Sequence, residues 1–168
     1  MTSNANSKLH IRPAVVNDVP LLLQLINTLA EYERLSHEVV ATEAALEEHL
    51  FGSRPYADAL IALWDGEPAG FALFFYNYST FLAQPGLYLE DLFVLPEFRR
   101  RGIGTALFAR LAKIALEEGC GRFEWSVLDW NESAIAFYEE MGARVQPDWR
   151  ICRIVASSLP QLAARSRI

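Results

Sequence analysis

The feature that most limits what this chain can fold into is a junction. The apolar run Tyr88 to Val94 is followed by Pro96 and by Arg99-Arg100-Arg101-Gly102-Ile103-Gly104. Beyond it Leu107, Phe108, Leu111, Ile114 and Ala115 recur at helical spacing until Gly119 stops the pattern. A strand, a glycine loop and an amphipathic helix in that order bring uncrowded backbone N–H groups and the positive end of a helix dipole to one point, which suits an anion. The loop lacks the lysine and Ser/Thr pair of a P-loop, and its spacing does not give the three glycines of a dinucleotide fingerprint. Taken alone, it also suits a tight turn with exposed arginines.

The remaining periodicities predict an α/β chain with a mixed sheet. Leu9, Ile11 and Pro13 alternate as a short strand, and Asn17 or Asp18 offers a side-chain oxygen to cap a helix with Pro20 in its first turn. Thr42 to Leu50 predicts a second helix, ended by Gly52. Ala59 to Trp64 and Gly70 to Tyr78 form a hairpin around Asp65-Gly66-Glu67-Pro68. Phe123 to Leu128 is the next strand, Asn131 caps a helix that lines up Ala134, Phe137, Tyr138 and Met141 before Gly142, and Arg150 to Val155 makes a last strand. The expected organisation is a tail over residues 1–8, disordered, and a single domain over 9–168.

Composition removes several alternatives. Fifteen basic against 21 acidic residues leave a formal charge of −6, which disfavours nucleic acid and tilts toward cationic ligands. Pro68 to Leu89 carries no charge, but Asn77, Ser79, Thr80, Gln84, Pro85 and Gly86 interrupt it, so two strands and a turn fit better than a membrane span. Met1 to Lys8 lacks the apolar stretch of a signal peptide. Cys120 and Cys152 form no scaffold and no Cys-x-x-Cys pair, which suits a cytoplasmic protein with reduced thiols. His10, His37 and His49 lack metal-ligand spacing, so no metal is expected.

The stretch Leu87 to Arg99, running into the glycine loop, resembles the acetyl-CoA-binding strand and helix of GNAT acetyltransferases. Val127 to Tyr138, ending at Gly142-Ala143, resembles the other hallmark segment of that superfamily. Ile11-Arg12-Pro13-Ala14, Leu29-Ala30-Glu31-Tyr32-Glu33, Tyr88-Leu89-Glu90-Asp91 and Asp129-Trp130-Asn131 are similar to its spermidine/spermine (diamine) acetyltransferase branch. The resemblance spans nearly everything from Leu9 to Val155. It implies the GNAT fold, a mostly antiparallel central sheet with helices on both faces, together with acetyl-CoA as donor and a homodimer. The implied acceptor is a small amine: a polyamine, a diamine, or an amino acid such as thialysine or ornithine.

The resemblance also carries residue roles. Leu92, Phe93, Val94, the loop from Arg99 through Arg100, Arg101, Gly102, Ile103 and Gly104 to Thr105, and Asn131 and Ser133 would contact the cofactor, although helix capping accounts for the last two as well. Tyr32, Glu33, Glu90 and Trp149 would contact the acceptor. Chemistry limits the catalytic pair. An alkylamine with a pKa of about 10.4 must lose a proton before it attacks a thioester, and the expelled thiolate needs one. Glu90 matches the family's base or relay, and Tyr138 its acid. On a regular strand Asp91 would face away from Glu90. Two departures stand out: Val145-Gln146-Pro147-Asp148 is shorter than the acidic loop of the mammalian polyamine enzymes, and Arg100 replaces a residue that is often small. The expected reaction is direct acetyl transfer to a di- or polyamine, with an amino-acid side-chain amine or a non-catalytic acyl-CoA sensor as alternatives.

Overall fold

The computed structural model describes residues 8–166, so all of the expected tail but Lys8 lies outside the described residues. The chain forms two compact units, 1–128 and 129–168. The first holds a five-stranded sheet in the order β1 (Leu9–Pro13), β2 (Asp58–Trp64), β3 (Glu67–Ser79), β4 (Gln84–Val94) and β5 (Arg122–Trp125). The first three pairings are antiparallel and β4–β5 is parallel, so the sheet is mixed. The β2–β3 turn is two residues, Asp65 and Gly66, both with positive φ, the twist-matched hairpin geometry that Asp-Gly favours.

Alternation divides the sheet's apolar residues between two faces. Ala59, Ile61, Phe71 and Phe93 pack against Leu22, Leu25 and Leu29 of α1 (Val19–Tyr32) and Leu50 of α2 (Glu43–Phe51). On the other face α3 (Ile103–Glu117) covers β2 to β5, burying Ile103, Leu107, Phe108 and Leu111, with Phe108 against the rings of Phe123 and Trp125 at 4.8 and 4.9 Å. Gly70 is dictated by proximity, since a Cβ there would stand 2.4 Å from the Phe93 carbonyl oxygen across the β3–β4 pair.

Thr42 caps α2 as expected, through Ala45 N–H at 3.2 Å. Asp18 sits at the N-cap of α1 without capping it. Its carboxylate instead accepts from Arg12 at 2.6 and 2.8 Å and from Val15 N–H at 2.8 Å, because the β1 guanidinium is the stronger donor. Asn17 makes no capping hydrogen bond among the described residues. Gly52 follows α2 in an extended conformation, with φ −71°. The fifth strand is shorter than its apolar run, since β4 stops pairing with it at Trp125.

The second unit contains α4 (Glu132–Glu140) and the short α5 (Leu159–Ala163). Asn131 caps α4 by accepting from Ala134 N–H at 3.3 Å. Ala134, Phe137 and Tyr138 are partly buried, while Met141 follows the helix and is exposed. Arg150 to Val155 is not a strand. A strand exists only as part of a ladder, and these six residues pair with no other strand among the described residues.

The Arg12–Asp18 pair ties β1 to the entry of α1, and Asp18 is 8% exposed. The Arg12 hydrogen bond lowers the Asp18 pKa against the opposing effect of burial. Its stabilisation is present above the ordinary aspartate range and is lost as pH falls through the lowered folded value. Asp18→Asn should cost about 2 kcal/mol at pH 7, a loss that thermal melts should show shrinking toward pH 3.

Candidate functional site

The central feature is an irregularity in β4. Leu73 pairs with Asp91 but Phe74 pairs with Leu89, so Glu90 is an extra residue, a β-bulge, and the simple alternation expected for Glu90 and Asp91 is broken. The β4–β5 ladder ends at the same place, with Leu89 opposite Trp125. Beyond it, from Glu90 to Val94, the β4 edge away from β3 has no strand partner among the described residues. Glu90 is exposed at the start of this open edge.

Asp91 lies opposite Leu73, two residues from Phe93, on the face covered by α1. Burial, then the charge of Glu90, then that of Glu33 push its carboxyl up to about 7. Glu33, the residue that ends α1, is also raised by burial. The adjoining Tyr32 ring meets Phe93 at 6.1 Å between centroids. The structure therefore gathers Tyr32, Glu33 and Asp91 beside Phe93, and sequence reasoning missed Asp91 because no residue type in Tyr-Leu-Glu-Asp announces a bulge.

The glycine loop is anchored to this group. Arg99 donates from Nε to the Val94 carbonyl at 3.0 Å and lies 4.6 Å from the Tyr32 ring and 5.6 Å from that of Phe93. Arg101 donates to the Glu97 carbonyl at 3.2 Å and covers Trp64 and Phe98. Two of the three arginines thus shape the loop, which leaves the backbone and the exposed Arg100 side chain for an anion. Arg100 and Gly102 both take left-handed φ, 60° and 77°, and a Cβ on Gly102 would meet nothing within 4 Å. The Gly102 carbonyl accepts from Ala106 N–H, so the N–H groups of Ile103, Gly104 and Thr105 precede the first helical bond of α3. Phe93 is buried toward α1, which leaves its backbone, with those of Leu92 and Val94, to face the open edge.

In the second unit Asn131 Oδ1 accepts from both Ala134 N–H and Ser133 Oγ, at 3.3 and 3.1 Å, a capping arrangement. Tyr138 is partly buried beside Phe137, with ring centroids 5.3 Å apart. Trp149 is 80% exposed in an irregular segment.

Residues 22–143 match the acetyltransferase (GNAT) family. The chain belongs to that family. This GNAT N-acetyltransferase is 37% identical to the L-ornithine N5-acetyltransferase NATA1 of Arabidopsis thaliana, over 89% of this chain and 85% of that one. It is also 37% identical to the thialysine N-epsilon-acetyltransferase of Sus scrofa, over 92% and 97%. A human spermidine/spermine N(1)-acetyltransferase-like protein 1 is 30% identical over 91% of this chain, which spans 23% of that longer protein. Its fold is shared with an integron cassette protein from the V. cholerae mobile metagenome, at a TM-score of 0.78 and 24% identity over 96% and 100% of the two chains. No group of three or more His, Cys, Asp or Glu side chains among the described residues could hold a metal. None of the described helices is long and apolar enough to cross a membrane.

Two outcomes follow from the geometry. Asp91 is raised in the folded state, so its contribution favours folding at low pH and is lost as pH climbs from the ordinary aspartate range to about 7. Asp91→Asn should therefore raise the melting temperature relative to the parent at pH 8, with the gain vanishing toward pH 4. Arg100→Gly should stabilise the loop by about 1 kcal/mol in denaturant melts, because glycine adopts the φ of 60° without strain.

Proposed function

We propose that the protein transfers the acetyl group of acetyl-CoA to a primary amine of a small di- or polyamine, by direct attack when both substrates are bound. The observation that carries this reading is the coincidence at β4: its edge opens at the Glu90 bulge, and the strand leads into a loop whose N–H groups from Ile103 to Thr105 precede the first helical bond of α3. An open strand edge suits the amides of a pantetheine arm, and the α3 N-terminus suits a pyrophosphate. Leu92, Phe93 and Val94 would contact the arm through their backbones, the Arg99 to Thr105 loop the pyrophosphate, and Asn131 and Ser133 the same cosubstrate.

Acetyl-CoA supplies an acyl group activated as a thioester. Glu90 holds the ammonium and takes its proton, directly or through water, freeing the lone pair that forms the new C–N bond. Tyr138 protonates the departing thiolate. Glu33 and Asp91, whose raised pKa values reflect burial, add negative potential that draws a cation, and Tyr32 and Trp149 provide aromatic faces for its alkyl chain. The homodimer implied by the resemblance belongs to this reading and is tested by light scattering.

A second reading, acetylation of an amino-acid side-chain amine, draws support from the names of the ornithine and thialysine enzymes among the relatives. Release of free CoA thiol with spermidine, putrescine, thialysine and ornithine separates the readings by which amine gives the highest kcat/KM. Glu90→Gln and Tyr138→Phe should each lower kcat by about 10²-fold or more. A Tyr138→Phe rate equal to the parent's across pH would remove the acid role, and tight acetyl-CoA binding without thiol release from any amine would mark a sensor.

A further inference from the structure

At the opposite end of α3 from the glycine loop lies a cavity of about 380 Å³ that the proposed reaction does not use. Its apolar lining includes Leu60, Phe74 and Ile114, and its polar rim is Asp58, Tyr76, Arg110 and Glu118. Glu118 follows the last residue of α3, so at 1.5 Å per residue it stands about 20 Å along the helix from Ile103. Asp58 opens β2 opposite Phe74 of β3, and Tyr76 is two residues farther along the same face, its ring edge-on to Phe74 at 6.2 Å. With Pro13 of β1 and Leu50 and Phe51 of α2, two helices and three strands converge on the cavity, all within the first unit.

The four polar side chains have no ion pair or hydrogen bond among the described residues. Asp58, Tyr76 and Glu118 are exposed and Arg110 is half-buried, so the groove presents two carboxylates and a guanidinium that are not committed to one another. Their mutual influence is still felt: burial, Glu118, Asp58 and Cys120 push the Tyr76 phenol up to about 12, and burial raises Asp58. Tyr76 therefore keeps its proton as a donor at any physiological pH.

We infer that this cavity is a second ligand site, for a free dibasic amino acid whose two ammonium groups meet Asp58 and Glu118 and whose carboxylate meets Arg110. The charge count decides the class. Two acids and one base complement two ammonium groups and one carboxylate, while Leu60, Phe74 and Ile114 accommodate an aliphatic stem. A diamine would leave Arg110 unpaired, and a monoamino acid would leave one carboxylate unpaired.

Calorimetric titration of the full chain with L-lysine tests this, with putrescine and L-norleucine as the ligands that lack one charged group. The expected result is an L-lysine binding event that Arg110→Met and Glu118→Gln each weaken about tenfold, the loss of one charge-assisted contact. Putrescine and norleucine should bind this site at least as much more weakly. Asp58→Asn, nearly isosteric, guards against a folding artefact, and all three variants should melt no lower than the parent and retain its kcat for the best amine. Binding at the acceptor site is distinguished by Glu90→Gln, which should leave this event intact. The proposal is overturned if no event responds to the three cavity variants, if putrescine binds the site as tightly as lysine, or if Glu90→Gln abolishes the same event.

Discussion

Everything in the first unit hangs on the pairing of β3 with β4 and on the one place where it slips. The two strands are long, and close enough at Gly70 that a Cβ would stand 2.4 Å from the Phe93 carbonyl oxygen. Such contact holds the register firmly on either side of Glu90, so the extra residue cannot be absorbed by sliding. It is accommodated as a bulge, and the bulge decides which carboxyl looks where. The Asp91 carboxyl comes to lie under α1 with Glu33, and Glu90 stays at the exposed edge where β5 departs.

Acidic groups gathered this way are costly to the fold and attractive to a cation. A carboxyl held near 7 by burial and by two like-charged neighbours stores unfavourable free energy that a bound ammonium relieves. The apolar sandwich of Leu22, Leu25, Ile61 and Phe71 supplies the stability that lets the chain tolerate it. Functional sites are where local rules are expected to break, and the break here is one inserted residue.

Much of this architecture was legible in the sequence, and the parts that were not share a cause. The Asp65-Gly66 turn, the Thr42 and Asn131 caps and the helix after the glycine loop are local, and local chemistry specifies them. The Glu90 bulge, the Arg12 bond that takes Asp18 from its capping role, and the unpaired Arg150 to Val155 segment depend on partners distant in the chain. A run of strand-forming residues does not say whether a second strand will meet it. The motifs pointed to the family, and the register decided which carboxyl is buried.

The stack of Arg99 on Tyr32 joins two regions that sequence motifs treat as separate. The same aromatic ring meets Phe93, over which Arg99 also lies. Tyr32 therefore cannot be altered without disturbing the support of Arg99. A smaller residue there would loosen the arginine that holds the Val94 carbonyl, so a change at the end of α1 would be felt in the glycine loop.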